Sequence, residues 1–256
     1  MGFMRWEERA YAGLLDERRG NIDVVISAYE SLNTGKAYMT MPITSGKRLY
    51  DVMWSYGAAN YEEFQLWAPE ALRAEVILPN IEAGLEFART LQPKLPLIIP
   101  GVFEARKQRW SQDEYMIMWL KVFTGQVREF HLLPDWEYSN GGVMEFVRAM
   151  MIQFRFIDQR ETPISIYDHQ GNRLYYTQGA QKIVAAIQSI EQRRYDAGKL
   201  RNEFRRLASI QHWLDWSWCD EYRHHVEFES INSNYVREAA SALGINFNGA
   251  EVPCLN

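Results

Sequence analysis

The strongest constraint on this chain is an alternation of short apolar runs with stretches of helical periodicity. The runs are AYMTM (Ala37 to Met41), LPLIIPG (95–101), REFHLLP (128–134) and PISIY (163–167). Between them lie NIEAGLEFARTL, with Ile81, Leu85, Ala88 and Leu91 on one face, SQDEYMIMWLKVF and SNGGVMEFVRAMMI. Parallel neighbours in a sheet require crossover connections, so strands alternating with helices of this length predict a parallel sheet with helices on its faces. Helix starts are marked by Ser111, with Glu114 three residues on as a capping box, and by Ser139. The fold class read from this pattern is α/β, a Rossmann-like open parallel sheet flanked by helices, with a mainly helical C-terminal extension.

Domain organisation follows from changes in pattern, because the chain has no repeat, low-complexity tract or Gly/Ser linker. Residues 1–35 read as a helical preface ending near Asn33-Thr34-Gly35, residues 36–167 as the α/β domain, and residues 168–256 as a hairpin turning at Gln170 to Asn172 followed by an accessory helical region. Residues 47–78 are aromatic and irregular and read as an insertion carrying one or two helices over the sheet edge. With 47% hydrophobic residues among 256, the chain can bury a substantial core. A net charge of −5 gives no global basic field, so polymeric nucleic acid is a weak expectation as partner. No apolar run is long enough to span a bilayer, and the opening MGFMRWEERAY lacks the apolar middle of a secretory signal, so the expected location is cytoplasmic, with no membrane partner.

Ligands of open parallel sheets bind at the carboxyl ends of the strands, where following helices offer free N–H groups. After the third run comes Leu133-Pro134-Asp135-Trp136-Glu137-Tyr138, then Ser139-Asn140-Gly141-Gly142-Val143-Met144-Glu145. Glycines here remove side chains where an anion would approach the backbone. Glu145, four residues past Gly141, lies on the same helical face about 6 Å deeper. A phosphate on the helix N-terminus would then place a nucleotide's C1′ about one turn away, within reach of a carboxylate on that face.

These residues resemble a known family. YMTMPITSG looks like the first-strand motif of the nucleoside 2-deoxyribosyltransferase and 2′-deoxynucleoside 5′-phosphate N-hydrolase superfamily. NIEAGLEFARTL with PLIIPG is similar to its second αβ unit, DEYMIMWL to its acidic helix, and SNGGVME to its serine, glycine and glutamate at the same offsets. The resemblance covers residues 36–167. It implies Glu145 as nucleophile at the anomeric carbon, Asp113 as the residue that positions a sugar hydroxyl or assists proton transfer, and Tyr38 as a contact or proton donor on the departing base side. Ser139, Gly141 and the turn Ile43, Thr44, Ser45 and Gly46 would hold a 5′-phosphate, with Asp135 as an alternative sugar-binding acid. Serine at 139, where the transferases carry an acid, implies nucleotides rather than free nucleosides, because a carboxylate would repel phosphate. The chain departs from the family at Pro42 and Thr44 and in the length of 47–78. The resemblance implies a homodimer.

The resulting expectation is a nucleotide N-glycosidase that needs no metal or cofactor, its partner a small-molecule nucleotide. Cleavage at C1′ passes through an oxocarbenium-like state that an adjacent carboxylate stabilises, while a second acid protonates the leaving group. The alternatives are a deoxyribosyltransferase, an NAD glycohydrolase and a nucleotide-binding module without turnover. His224 and His225 beside Cys219 and Asp220 suggest a metal, but adjacent helical positions point about 100° apart. Trp213, Trp216 and Trp218 read as a packing cluster, and QRRYDAGKLRNEFRR as a solvated helix face. Cys219 and Cys254 read as free thiols.

Overall fold

The computed structural model describes residues 11–14, 16–31, 35–101, 110–156, 164–216 and 233–245. Four strands form one sheet: β1 (Lys36–Met39), β2 (Leu97–Ile98), β3 (Val127–His131) and β4 (Ser165–Tyr167). Their order is β2-β1-β3-β4 and every pairing is parallel, so the open parallel sheet expected from the alternation is present. The chain leaves β1 toward β2 on one side, then returns across β1 to β3 and β4 on the other. The strand order therefore reverses between β1 and β3, where an α/β sheet opens a crevice at its carboxyl edge.

The first strand is shorter than the sequence predicts. Thr40 N–H still donates to His131 O at 3.0 Å, but the pairing ends there because Met41 turns aside into a slot between two glycines. A Cβ on Gly84 would lie 2.5 Å from Met41 Cε, and one on Gly101 would lie 2.4 Å from Met41 Sδ. Gly84 is consequently the buried position of its helix, whereas Ile81, Leu85 and Ala88, predicted to form the inward face, are half-buried, and Leu91 follows the helix end.

Helix α1 (Asp16–Glu30) packs on α5 (Gln112–Gln126), where Arg18 pairs with Glu114 at 3.5 Å. The Ser111 and Glu114 capping box predicted from sequence is formed in both directions. Residues 47–78 are helical almost throughout: α2 (Lys47–Tyr56) and α3 (Tyr61–Trp67) are followed by Pro69–Ala71, a π-helical segment Leu72–Ile77, and α4 (Leu78–Thr90). Pro79 accounts for the widened segment physically. It has no N–H for the carbonyl four residues back, and its ring crowds that carbonyl.

The remaining described residues join the same core. Helix α6 (Asn140–Phe156) follows β3, and α7 (Tyr176–Gln192), α8 (Gly198–Trp216) and α9 (Ser233–Ala242) follow β4. Gly179 of α7 lies against Phe146 of α6 so closely that a Cβ would stand 2.0 Å from Phe146 Cζ. Tyr176 Oη donates to Leu207 O at 2.7 Å, tying α7 to α8. The hairpin after β4 turns where predicted: Asp168 Oδ1 accepts from the N–H groups of Gln170 and Asn172, both at 2.9 Å. Among the described residues no helix is long and apolar enough to cross a membrane.

Candidate active site

At the reversal point, β1 contributes Tyr38 and α6 contributes Glu145. Tyr38 is fully buried, its ring held edge-on by Phe123 at 5.3 Å and Trp119 at 6.0 Å, both from α5, and tilted against Phe130 of β3 at 5.9 Å. That aromatic frame leaves its hydroxyl directed at α6. Tyr38 Oη donates to Glu145 Oε1 at 2.5 Å across a separation of 107 residues. Glu145 is itself buried, at 8% exposure. A carboxylate in that setting is fixed in orientation by a charge-assisted bond, which is stronger than a neutral one.

A second pair of side chains meets at the start of α6. Ser45 Oγ, in the turn after β1, lies 2.8 Å from Ser139 Oγ. Ser139 caps α6 as predicted, its Oγ accepting from Gly142 N–H at 3.2 Å. The two glycines that follow are not equivalent. A Cβ on Gly142 would be 2.6 Å from Trp136 O and 3.4 Å from Thr40 Oγ1, whereas one on Gly141 would meet only Ser139 Oγ at 3.8 Å. Gly142 is thus required by the packing of α6 onto the turn before it, and Gly141 is the position that leaves room.

The turn after β1 is braced from α4. Asn80 Nδ2 donates to Ile43 O at 3.1 Å and to Ser45 O at 3.0 Å. Gly46 closes the turn with φ 88°, in the left-handed region that favours glycine, and begins α2 without a side-chain cap. Thr44 is exposed and Ile43 half-buried.

Asp135 and Asp113 stand differently. Asp135 lies in the turn after β3, exposed, with φ 61°. Asp113 is in the first turn of α5, whose C-terminal end runs directly into β3; its side chain is outside the described residues. Also outside them are the side chains of Trp213 and Trp216, and Trp218, Cys219, Asp220, His224, His225 and Cys254. Among the described residues no group of three or more His, Cys, Asp or Glu is placed to hold a metal ion.

Sequence reading passed over two residues here. Glu137 sits in the 3₁₀ turn Trp136–Tyr138 between β3 and Ser139, half-buried, with Oε2 lacking a hydrogen-bond partner. Burial pushes its carboxyl above the usual range against a hydrogen bond from its own backbone N–H and the charges of Lys182 and His169, with the Asp135 charge adding to the rise. Its enclosure comes from α7, which packs on this turn and belongs to the segment read as accessory. Asn80 was hidden because its partners are backbone carbonyls 35 and 37 residues away.

Chemically, the arrangement offers an oriented carboxyl group, a pair of neutral hydroxyl groups at the start of the same helix, and a second carboxyl that burial pushes above its usual range. Compared with protein-family models, with curated proteins and with solved structures, the chain gives no match.

Proposed function

We propose that this chain is a nucleotide N-glycosidase that cleaves the bond between C1′ and the base of a (deoxy)nucleoside 5′-monophosphate. The observation that carries this reading is the buried Tyr38–Glu145 bond on the same helix that the Ser45–Ser139 hydroxyl pair begins, at the strand-order reversal. Hydroxyl and backbone N–H donors bind a phosphate without the repulsion a carboxylate would bring. A phosphate held over Gly141 puts the sugar's anomeric carbon near Glu145, which lies four residues and about one turn further along the helix.

In the reaction, a Glu145 carboxylate oxygen bonds to C1′ as the C1′–N bond breaks, and the electron pair of that bond leaves with the base. The departing nitrogen takes a proton from an acid at the same edge. Glu137, whose carboxyl burial pushes above its usual range, is the candidate for this acid, and Asp113 keeps the part that the family resemblance gives it. Water then attacks the glycosyl ester, its proton passing to the conjugate base of that acid, and releases sugar phosphate and free Glu145. Tyr38 orients the nucleophile, since its hydroxyl is directed to the carboxylate.

Chromatographic detection of free base after incubation with nucleosides, 5′-monophosphates and NAD tests the reading. Base from monophosphates supports it. Transfer of the sugar to an added base identifies the chain as a deoxyribosyltransferase, and release of nicotinamide from NAD as a glycohydrolase of that dinucleotide. Nucleotide-induced thermal stabilisation without product identifies a binding module.

A further inference from the structure

The turn Ile43–Gly46 contains two peptide groups whose orientation is set by one side chain of α4. A trans peptide is planar, with its C=O and N–H pointing in opposite directions. Asn80 holds the carbonyls of Ile43 and Ser45 with the two hydrogens of one amide. The N–H groups of the same two peptides, those of Thr44 and Gly46, must therefore point away from α4. Neither donates to any partner among the described residues. Ser45 Oγ, between them in sequence, meets Ser139 Oγ on α6.

We infer that Asn80 is a positioning residue for anion recognition, turning the Thr44 and Gly46 N–H groups toward the space beside Ser45 and Ser139 so that they bind the phosphate of the substrate. Three features fix the geometry in advance. Met41 is locked between Gly84 and Gly101 at the start of the turn, Gly46 supplies the positive φ at its end, and Asn80 ties down the middle. Pro79 and the π-helical segment before it precede Asn80 directly, and the extra residue in such a segment shifts the face that following side chains present. Donors held in place before the ligand arrives need no reorganisation on binding, which favours affinity.

This inference rests on the proposed nucleotide reading, but phosphate binding tests it independently of turnover. The experiment compares wild type with Asn80→Asp, nearly isosteric but lacking the donating NH2 group, and with Asn80→Ala. Inorganic phosphate affinity is measured by calorimetry, and KM and kcat are measured on a 5′-monophosphate and its nucleoside. Expected is a loss of about tenfold in phosphate affinity in both variants, the size of roughly one ordinary hydrogen bond, with KM for the monophosphate rising by about the same factor and kcat within about twofold. Folding is checked by circular dichroism, and Asn80→Ala avoids the carboxylate–carbonyl repulsion that could unfold Asn80→Asp. Unchanged phosphate affinity in folded variants, or no phosphate binding by wild type, overturns the role of Asn80. Wild type that binds phosphate through Asn80 but releases no base leaves this role standing and removes the glycosidase reading.

Discussion

The hydroxyl of Tyr38 and the carboxylate of Glu145 are joined at 2.5 Å inside the protein, although one belongs to the first strand and the other to the helix after the third. A bond of that kind fixes the orientation of the carboxyl group. Tyr38→Phe keeps the aromatic frame of Phe123, Trp119 and Phe130 but deletes the donor. A hydrogen bond to a charged group contributes about 2 kcal/mol, so base release should fall roughly thirtyfold. Steady-state kinetics on the best 5′-monophosphate reads this, with thermal unfolding to confirm the fold.

The two glycines at the start of α6 should behave in opposite ways. Gly142→Ala forces a methyl against Trp136 O and should destabilise by about 1–3 kcal/mol. Gly141→Ala has open space and should leave stability unchanged or raise it by up to about 1 kcal/mol, since alanine is the better helix former. If a phosphate sits over this position, the same change raises KM. Denaturant titration and kinetics of the two variants separate packing from binding.

Glu137 should make stability pH-dependent. In the unfolded chain its carboxyl ionises at about 4.3, whereas burial raises the folded value. The folded state therefore holds the proton over the window between the two, and stability falls as pH rises through it and stays lowered above it. Glu137→Gln removes that loss. Its melting temperature should exceed that of wild type at pH 7, and the difference should disappear below about pH 4. A variant that is more stable yet less active would mark Glu137 as a carboxyl kept for chemistry.

Docking of α7 depends on Gly179. Gly179→Ala places a methyl within the ring of Phe146 and should cost about 3 kcal/mol or more. Because α7 packs on the turn that carries Glu137, the variant should also reduce the pH dependence just described. Thermal melts of Gly179→Ala across pH check both effects.

Much of the architecture was legible in the sequence because it is local. Strand and helix alternation, the Ser111 and Glu114 box, the Ser139 cap and the Asp168–Asn172 turn all arise from residues a few positions apart. What the sequence concealed is long-range. Met41 leaves the strand for a slot made by Gly84 and Gly101, and no periodicity announces this. Glu137 reads as an ordinary turn residue until α7 is placed over it, and Asn80 as a helix surface residue until the turn after β1 lies beside it. Glu145, Ser139 and Tyr38 could be named as candidates from the sequence, but the Tyr38–Glu145 bond depends on which strands are neighbours. That order follows from the whole sheet.

The central claim is that Glu145 forms a bond to the sugar of a nucleotide. Rapid acid quench of the protein with an excess of its best 5′-monophosphate, followed by intact and peptide mass spectrometry alongside base quantification, tests it directly. The prediction is one equivalent of base released with a sugar-phosphate adduct on the peptide containing Glu145, both lost in Glu145→Gln. Absence of base release from wild type, or release that Glu145→Gln leaves undiminished, contradicts it.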